Sequence, residues 1–298
     1  MDVEYLRSLG EADEPAVVVD TLEQLLPSSL PLLNCLHLAM CASLSSEGAG
    51  KQFYVNSGWS KERLVLVCVD GSEAEVEKWL LYSQGVQLNM LETLLETWVS
   101  KRTVSKHLLL GGLLPQHAGI LKKLLGRQVA WEAACNVYWL TREPFPDGET
   151  FPLETGFCEL AAGWRGLEAG WKVEKLGVEH VELILSCWKF GDRTDSQRAM
   201  LTDLALQDRL FGLLPPASTG PVVWVALYSY GSMGLLHTRE GWRRRGLATI
   251  LMELVAEWVR REWGVRAYVH IEEGNSASQR LFSRMGFKKG DEAIWTGC

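Results

Sequence analysis

Apolar residues follow two rhythms along this chain, and the switches between them mark out its elements. In residues 16–139 a helix opens at 21–26, and 33–42 is an apolar run that reads as extended. Residues 53–55 and 64–69 are rich in branched and aromatic side chains and read as strands. Ser72 precedes Glu73 and Glu75, and Val76, Trp79 and Leu80 follow at helical spacing, so a helix is predicted over 72–82. Further helices are predicted over 88–99 and 115–125, and strands over 107–110 and 130–140.

Pro144, Pro146, Gly148, Pro152, Gly156, Gly163, Gly166 and Gly170 then interrupt the pattern. This is the best candidate boundary. It divides an N-terminal α/β domain (1–145) and a linker (146–170) from a second domain (171–298). In the second domain strands are predicted at 171–176, 210–214, 222–230, 233–236, 265–271 and 287–294, with helices at 178–188 and 196–206. A long amphipathic helix follows residue 246, and a capped helix ending in Gly286 follows Asn275. This order implies an α/β class with a mixed central sheet. The similar alternation in both halves raises the reading of a duplicated fold whose first copy is degenerate.

Composition narrows the function. The chain has 298 residues and a formal net charge of -7, so bulk electrostatics disfavour a nucleic-acid partner. Basic residues near Arg243 form a local patch on an acidic protein, which suits a small anionic ligand. The seven cysteines show no C-x-x-C pair and read as reduced, buried thiols. Their spacing with histidine fits no zinc pattern, so no metal is expected. The N-terminus is acidic and lacks an apolar core, and the longest apolar stretch, 30–44, is broken by Pro31, Asn34 and His37. A cytoplasmic protein without a membrane partner is expected. The thirteen tryptophans are not interleaved with the basic patch and are read as core and pocket lining.

The candidate chemistry lies at the turn Thr238-Arg239-Glu240-Gly241-Trp242-Arg243-Arg244-Arg245-Gly246-Leu247-Ala248-Thr249. A strand that passes through arginines and a glycine into a helix start is a place to hold phosphate. The first helical N–H groups lack internal partners, and the helix dipole adds positive potential there. Gly246 would let a pyrophosphate approach the backbone, and Ala248 keeps the next position small. A strand and then Asn275-x-x-Ser278-x-x-Leu281-Phe282-x-x-x-Gly286-Phe287 follow in order. The succession strand, R-x-x-G-x-A, helix, strand, N-x-x-S-x-x-L-F resembles the acyl-CoA N-acyltransferases of the GNAT superfamily. The stretch Pro221-Val222-Val223-Trp224 is similar to a P-V-S-W segment of the glycine N-acyltransferase-like branch. Leu26-Pro27-Ser28-Ser29-Leu30 and Asn56-Ser57-Gly58-Trp59 resemble its N-terminal segments more weakly.

The resemblance implies a GNAT fold in residues 171–298 and acetyl-CoA or a longer acyl-CoA as co-substrate. The acceptor it implies is a small amine or amino acid such as glycine. Backbone groups of Leu236, His237 and Thr238 would receive the pantetheine arm. Residues Arg243, Arg244, Arg245, Gly246, Leu247, Ala248 and Thr249 would hold the pyrophosphate, and Asn275, Ser278 and Phe282 would complete the cofactor site. Asn275 reads equally as a helix cap. Two departures stand out. Phe282 occupies the place of a tyrosine thought to protonate the leaving thiolate, and Ser232 aligns with the glutamate the branch uses as base. Ser232 and Glu272 are the catalytic candidates, with Glu240, Glu273, His237 and His270 as other bases. A protein or peptide N-acetyltransferase and a weakly catalytic CoA-binding protein are the alternatives.

Overall fold

The computed structural model describes residues 5–9, 14–43, 50–73, 76–105, 107–141, 159–188 and 194–298. The chain forms two compact units that interleave in sequence: residues 1–139, 270–280 and 288–298 in the first, 140–269 and 281–287 in the second. Residues 146–158 of the expected linker lie outside the described residues.

The first unit begins with β1 (Leu6–Ser8), α1 (Glu14–Gln24) and α2 (Leu30–Ser43), then β2 (Lys51–Asn56), β3 (Leu64–Glu73) and β4 (Val76–Gln84). Next come α3 (Leu88–Val99), β5 (His107–Leu113), α4 (Pro115–Leu125) and β6 (Trp131–Leu140). Strands β1 to β4 pair antiparallel in sequence order, and β4 pairs parallel with β5. Val65, Val67 and Val69 of β3, with Trp79 and Leu81 of β4, pack against Leu91, Leu95 and Trp98 of α3 and Leu121 of α4. The intervening Leu64, Leu66 and Cys68 are fully buried as well, which is why β3 shows no alternation.

Two expectations fail here. Residues 72–82 do not form a helix: 72–73 end β3, and β4 is a strand whose register runs from Val76↔Glu73 to Gln84↔Leu64. Its partner's unbroken apolar run outweighs the serine–glutamate cap signal, since tertiary burial overrides a local signature. Residues 33–42 are not extended but lie in α2, whose Leu, Ala, Met and Cys side chains are good helix formers or helix-neutral and carry no β-branch. An all-round apolar run cannot be sorted by periodicity alone. Helix α4 starts as its sequence predicts, with Pro115 in the first turn, and stops at Gly126, whose φ of 58° needs glycine.

The second unit contains β7 (Lys172–Lys175), α5 (Val181–Cys187), α6 (Asp195–Leu206), β8 (Leu210–Leu214), β9 (Val223–Leu227) and β10 (Met233–Thr238). Then follow α7 (Leu247–Trp263), β11 (Tyr268–Glu272), α8 (Ser276–Arg284) and β12 (Phe287–Gly297), the last three crossing between units along the chain. Strands β7 to β10 are again antiparallel neighbours, and β10 meets β11 in parallel. The succession of strand, two helices, three strands, helix, parallel strand, helix and strand is therefore the same in both halves of the chain. Trp224 and Ala226 of β9 pack on Ile184, Leu185, Leu201 and Leu204 of α5 and α6. On α7, Trp258 meets Phe211 of β8 at 5.5 Å between ring centroids. Helix α6 is fixed at its start by a reciprocal cap between Thr194 and Gln197. Strand β12 adds to the first unit's sheet beside β5, with Ile294↔Leu113 and Gly297↔Leu109.

Candidate functional site

The site is built on one strand–turn–helix, β10 to α7. A tight turn with Gly231 at φ 79° and a Tyr228 N–H bond to the Ser232 carbonyl (2.9 Å) brings the chain from β9 into β10. Ser232 is buried there, and its hydroxyl donates to the Met233 carbonyl at 3.3 Å. At Gly234 an added Cβ would lie 2.4 Å from the Tyr228 ring, so the close strand approach requires glycine. Beyond it the register with β9 shifts between Gly234↔Ala226 and His237↔Trp224, and Leu235 takes φ 54°. One extra residue on β10 thus makes a bulge. The antiparallel pairing to β9 continues to Thr238↔Val223, whereas the parallel pairing to β11 is recorded at Met233↔Val269. Residues 234–238 are half-buried, in contrast to the fully buried β8 and β9.

After β10, residues 240–242 make a single 3-10 turn. Trp242 is held edge-on by Trp171 at 5.6 Å and covered by the Arg245 guanidinium at 4.9 Å. Arg243 folds back to donate from Nε to the Thr238 carbonyl (3.0 Å), and Arg245 donates to the Gly241 carbonyl (3.1 Å). Arg244 and Gly246 both have positive φ, 62° and 77°. Left-handed residues of this kind curl successive N–H groups into an anion-binding concavity. No side chain caps the start of α7, and no acidic residue stands in its first turn. The leading N–H groups and the helix dipole therefore face outward unopposed. A Cβ built at Gly246 meets nothing within 4 Å. The loop is open and rich in arginine.

His237 stacks on Trp224, its register partner, at 4.7 Å and 19°. Burial, and then the Arg243 cation, lower its pKa below the usual histidine value. Phe282 is buried edge-on to Phe287 at 5.0 Å, a packing role with no proton to give. Glu240 is exposed on the 3-10 turn.

The remaining candidates belong to the first unit. Asn275 accepts the Ser278 N–H at 3.1 Å, which is the capping geometry for α8. Glu272 is half-buried at the end of β11, and Glu273 is exposed beyond it. Burial lowers His270 to about 3, so its ring, edge-on to Trp295 at 5.1 Å, is neutral near pH 7.

Residues 217–296 match the family model described as FR47-like protein. In solved structures the chain resembles a Drosophila protein over 99% of its length and 98% of that chain, with 16% identity and a TM-score of 0.72. It also resembles a GCN5-related N-acetyltransferase from Sphaerobacter thermophilus, with 16% identity over 100% of this chain and 96% of that one, at a TM-score of 0.50. The chain has the GNAT fold. Comparison with curated protein sequences finds no match. Among the described residues, no helix is long and apolar enough to cross a membrane.

The arginine-rich turn is visible in the sequence, but the parts that shape it are not. The bulge was signalled only by Gly234, a glycine inside a strand. The left-handed Arg244 and the Trp171 brace carry no local sequence signature.

Proposed function

We propose that this protein is an acyl-CoA-dependent N-acyltransferase acting on a small amine or amino acid. One observation carries the reading. A bulged, half-buried strand leads directly into an open, arginine-rich, uncapped helix start, and the FR47-like match spans this segment. Backbone N–H groups of residues 244–249 would hold the diphosphate, with Arg244 free of the intraloop bonds that occupy Arg243 and Arg245. The pantetheine arm would run along Leu236, His237 and Thr238, where the bulge turns backbone groups away from β9. An N–H there would polarise the thioester carbonyl as charge develops on its oxygen. A neutral amine attacks, and coenzyme A leaves as a thiolate, which needs little help from an acid. The preference for glycine or a related amino acid rests on the resemblance to the glycine N-acyltransferase-like branch.

A second reading, binding of CoA without turnover, is favoured by the engaged Ser232 hydroxyl and by Phe282. Thiol release from acetyl-CoA and benzoyl-CoA across a panel of amines and amino acids separates the two. Amine-dependent release is expected. Thermal protection by CoA without release would leave the binding protein, and neither would remove both readings.

A further inference from the structure

The reaction needs a proton acceptor, and the sequence offers no carboxylate where the glycine branch has one. Within the unit that carries the loop, Ser232 is committed to the Met233 carbonyl and Glu240 stands in solvent. His237 is placed differently. It lies one position beyond the bulge, on the strand that the acyl-CoA reading sets beside the thioester. Its ring is clamped flat on Trp224, itself 1% exposed, so the imidazole has a fixed plane. Among the described residues neither ring nitrogen makes a hydrogen bond, and the residue is half-buried rather than sealed.

We infer that the His237 imidazole accepts the proton of the incoming ammonium group. The inference rests on the acyltransferase reading. A ring nitrogen takes one proton from the ammonium and frees its lone pair. That pair forms the C–N bond to the thioester carbon, and the C–S bond breaks with its electrons on sulfur. The second proton leaves the new amide nitrogen for the thiolate, and the imidazolium returns its proton to water. Thioester and ammonium thus give amide, thiol and one proton. The base must be neutral beforehand, and burial with Arg243 keeps the ring so at pH 7. Arg243, at the end of the strand, is the charged group acting on it. β9 contributes Trp224, and α5 and α6 cover that face with apolar side chains such as Ile184 and Leu201.

The test uses the full chain, acetyl-CoA and the amine of the panel that supports the fastest thiol release. His237→Gln should lower kcat about 100-fold at pH 7 while CoA still protects against heat. The acidic limb set by the histidine should be lost, replaced by a rate that follows the free-amine fraction and climbs up to the pKa of the amine. Arg243→Gln retains the histidine but removes its cationic neighbour, so its acidic limb should move to higher pH whatever happens to KM. This second variant decides the matter should His237→Gln fail to fold. Wild-type turnover and profile in His237→Gln, or an unmoved limb in Arg243→Gln, overturns the assignment. CoA protection without release by any amine also overturns it. Loss of both protection and release instead brings down the acyltransferase reading itself.

Discussion

The turns β4–α3 and β10–α7 occupy the same place in two copies of one topology, yet only the second is open and rich in arginine. Gly85, in the first, also has positive φ, but a Cβ there would lie 1.9 Å from the Glu62 carbonyl oxygen: the chain's own backbone fills the space above the turn. Residues 83–92 contain no Lys or Arg. Strands β4 and β5 keep four register pairs, from Val76↔His107 to Trp79↔Leu110, against the one recorded between β10 and β11. Both helices lack a side-chain cap. An uncapped helix start is therefore common to both copies; the second adds open space, positive charge and a bulged strand.

The largest expected effect comes from closing the open turn. Gly246→Asp sets a β-carbon on a left-handed residue and a carboxylate where phosphate is expected. CoA affinity should fall at least about 100-fold, roughly 3 kcal/mol, read by calorimetric titration; unchanged affinity would dissolve the contrast between the copies. The next effect belongs to the first unit. His117 is 1% exposed, bonded to Ser83 Oγ at 2.9 Å, and burial lowers its pKa to about 4. The unfolded chain, with a histidine near 6.5, takes up the proton first on acidification. Stability is full above about pH 6.5 and is lost as pH falls towards about 4, by roughly 3 kcal/mol in total. Urea unfolding at successive pH values should show that slope, and His117→Gln should flatten it. A smaller change is expected for Arg244→Ala: about a tenfold weaker CoA complex whose deficit shrinks in high salt. Smallest of all, Gln87→Glu at the blocked turn should leave CoA protection within about twofold, and a larger shift would mean that the first copy binds after all.

Much of the second copy was legible because its signals are local. Gly246 and Gly264 bracket α7, both left-handed, and β8 falls at residues 210–214 as its apolar run predicts. The arginine-rich turn could be read from residue types alone. The first copy was less legible. Ser72 and Glu73, just ahead of β4, imitate a helix start, and the strand identity of β4 comes from its pairing with β3, which no local pattern in β4 reveals. Within the site, the missed features are conformations and distant contacts: φ at Leu235 and Arg244, and the Trp171 ring against Trp242. The Trp224–His237 stack depends on register across the bulge. No periodicity encodes that register.

The position of β12 governs how this molecule is born. Leu108 and Cys298 exchange a reciprocal pair of backbone hydrogen bonds, at 3.0 and 2.9 Å, and Ile294 sits in the same apolar cluster as Leu110 and Leu113. During translation, β5 leaves the ribosome with one edge bare and waits for this partner while more than a whole domain of chain is made. Chaperones that shield unpaired edges should therefore engage the nascent N-terminal half, and shortening the polypeptide before Ile294 should cripple that half.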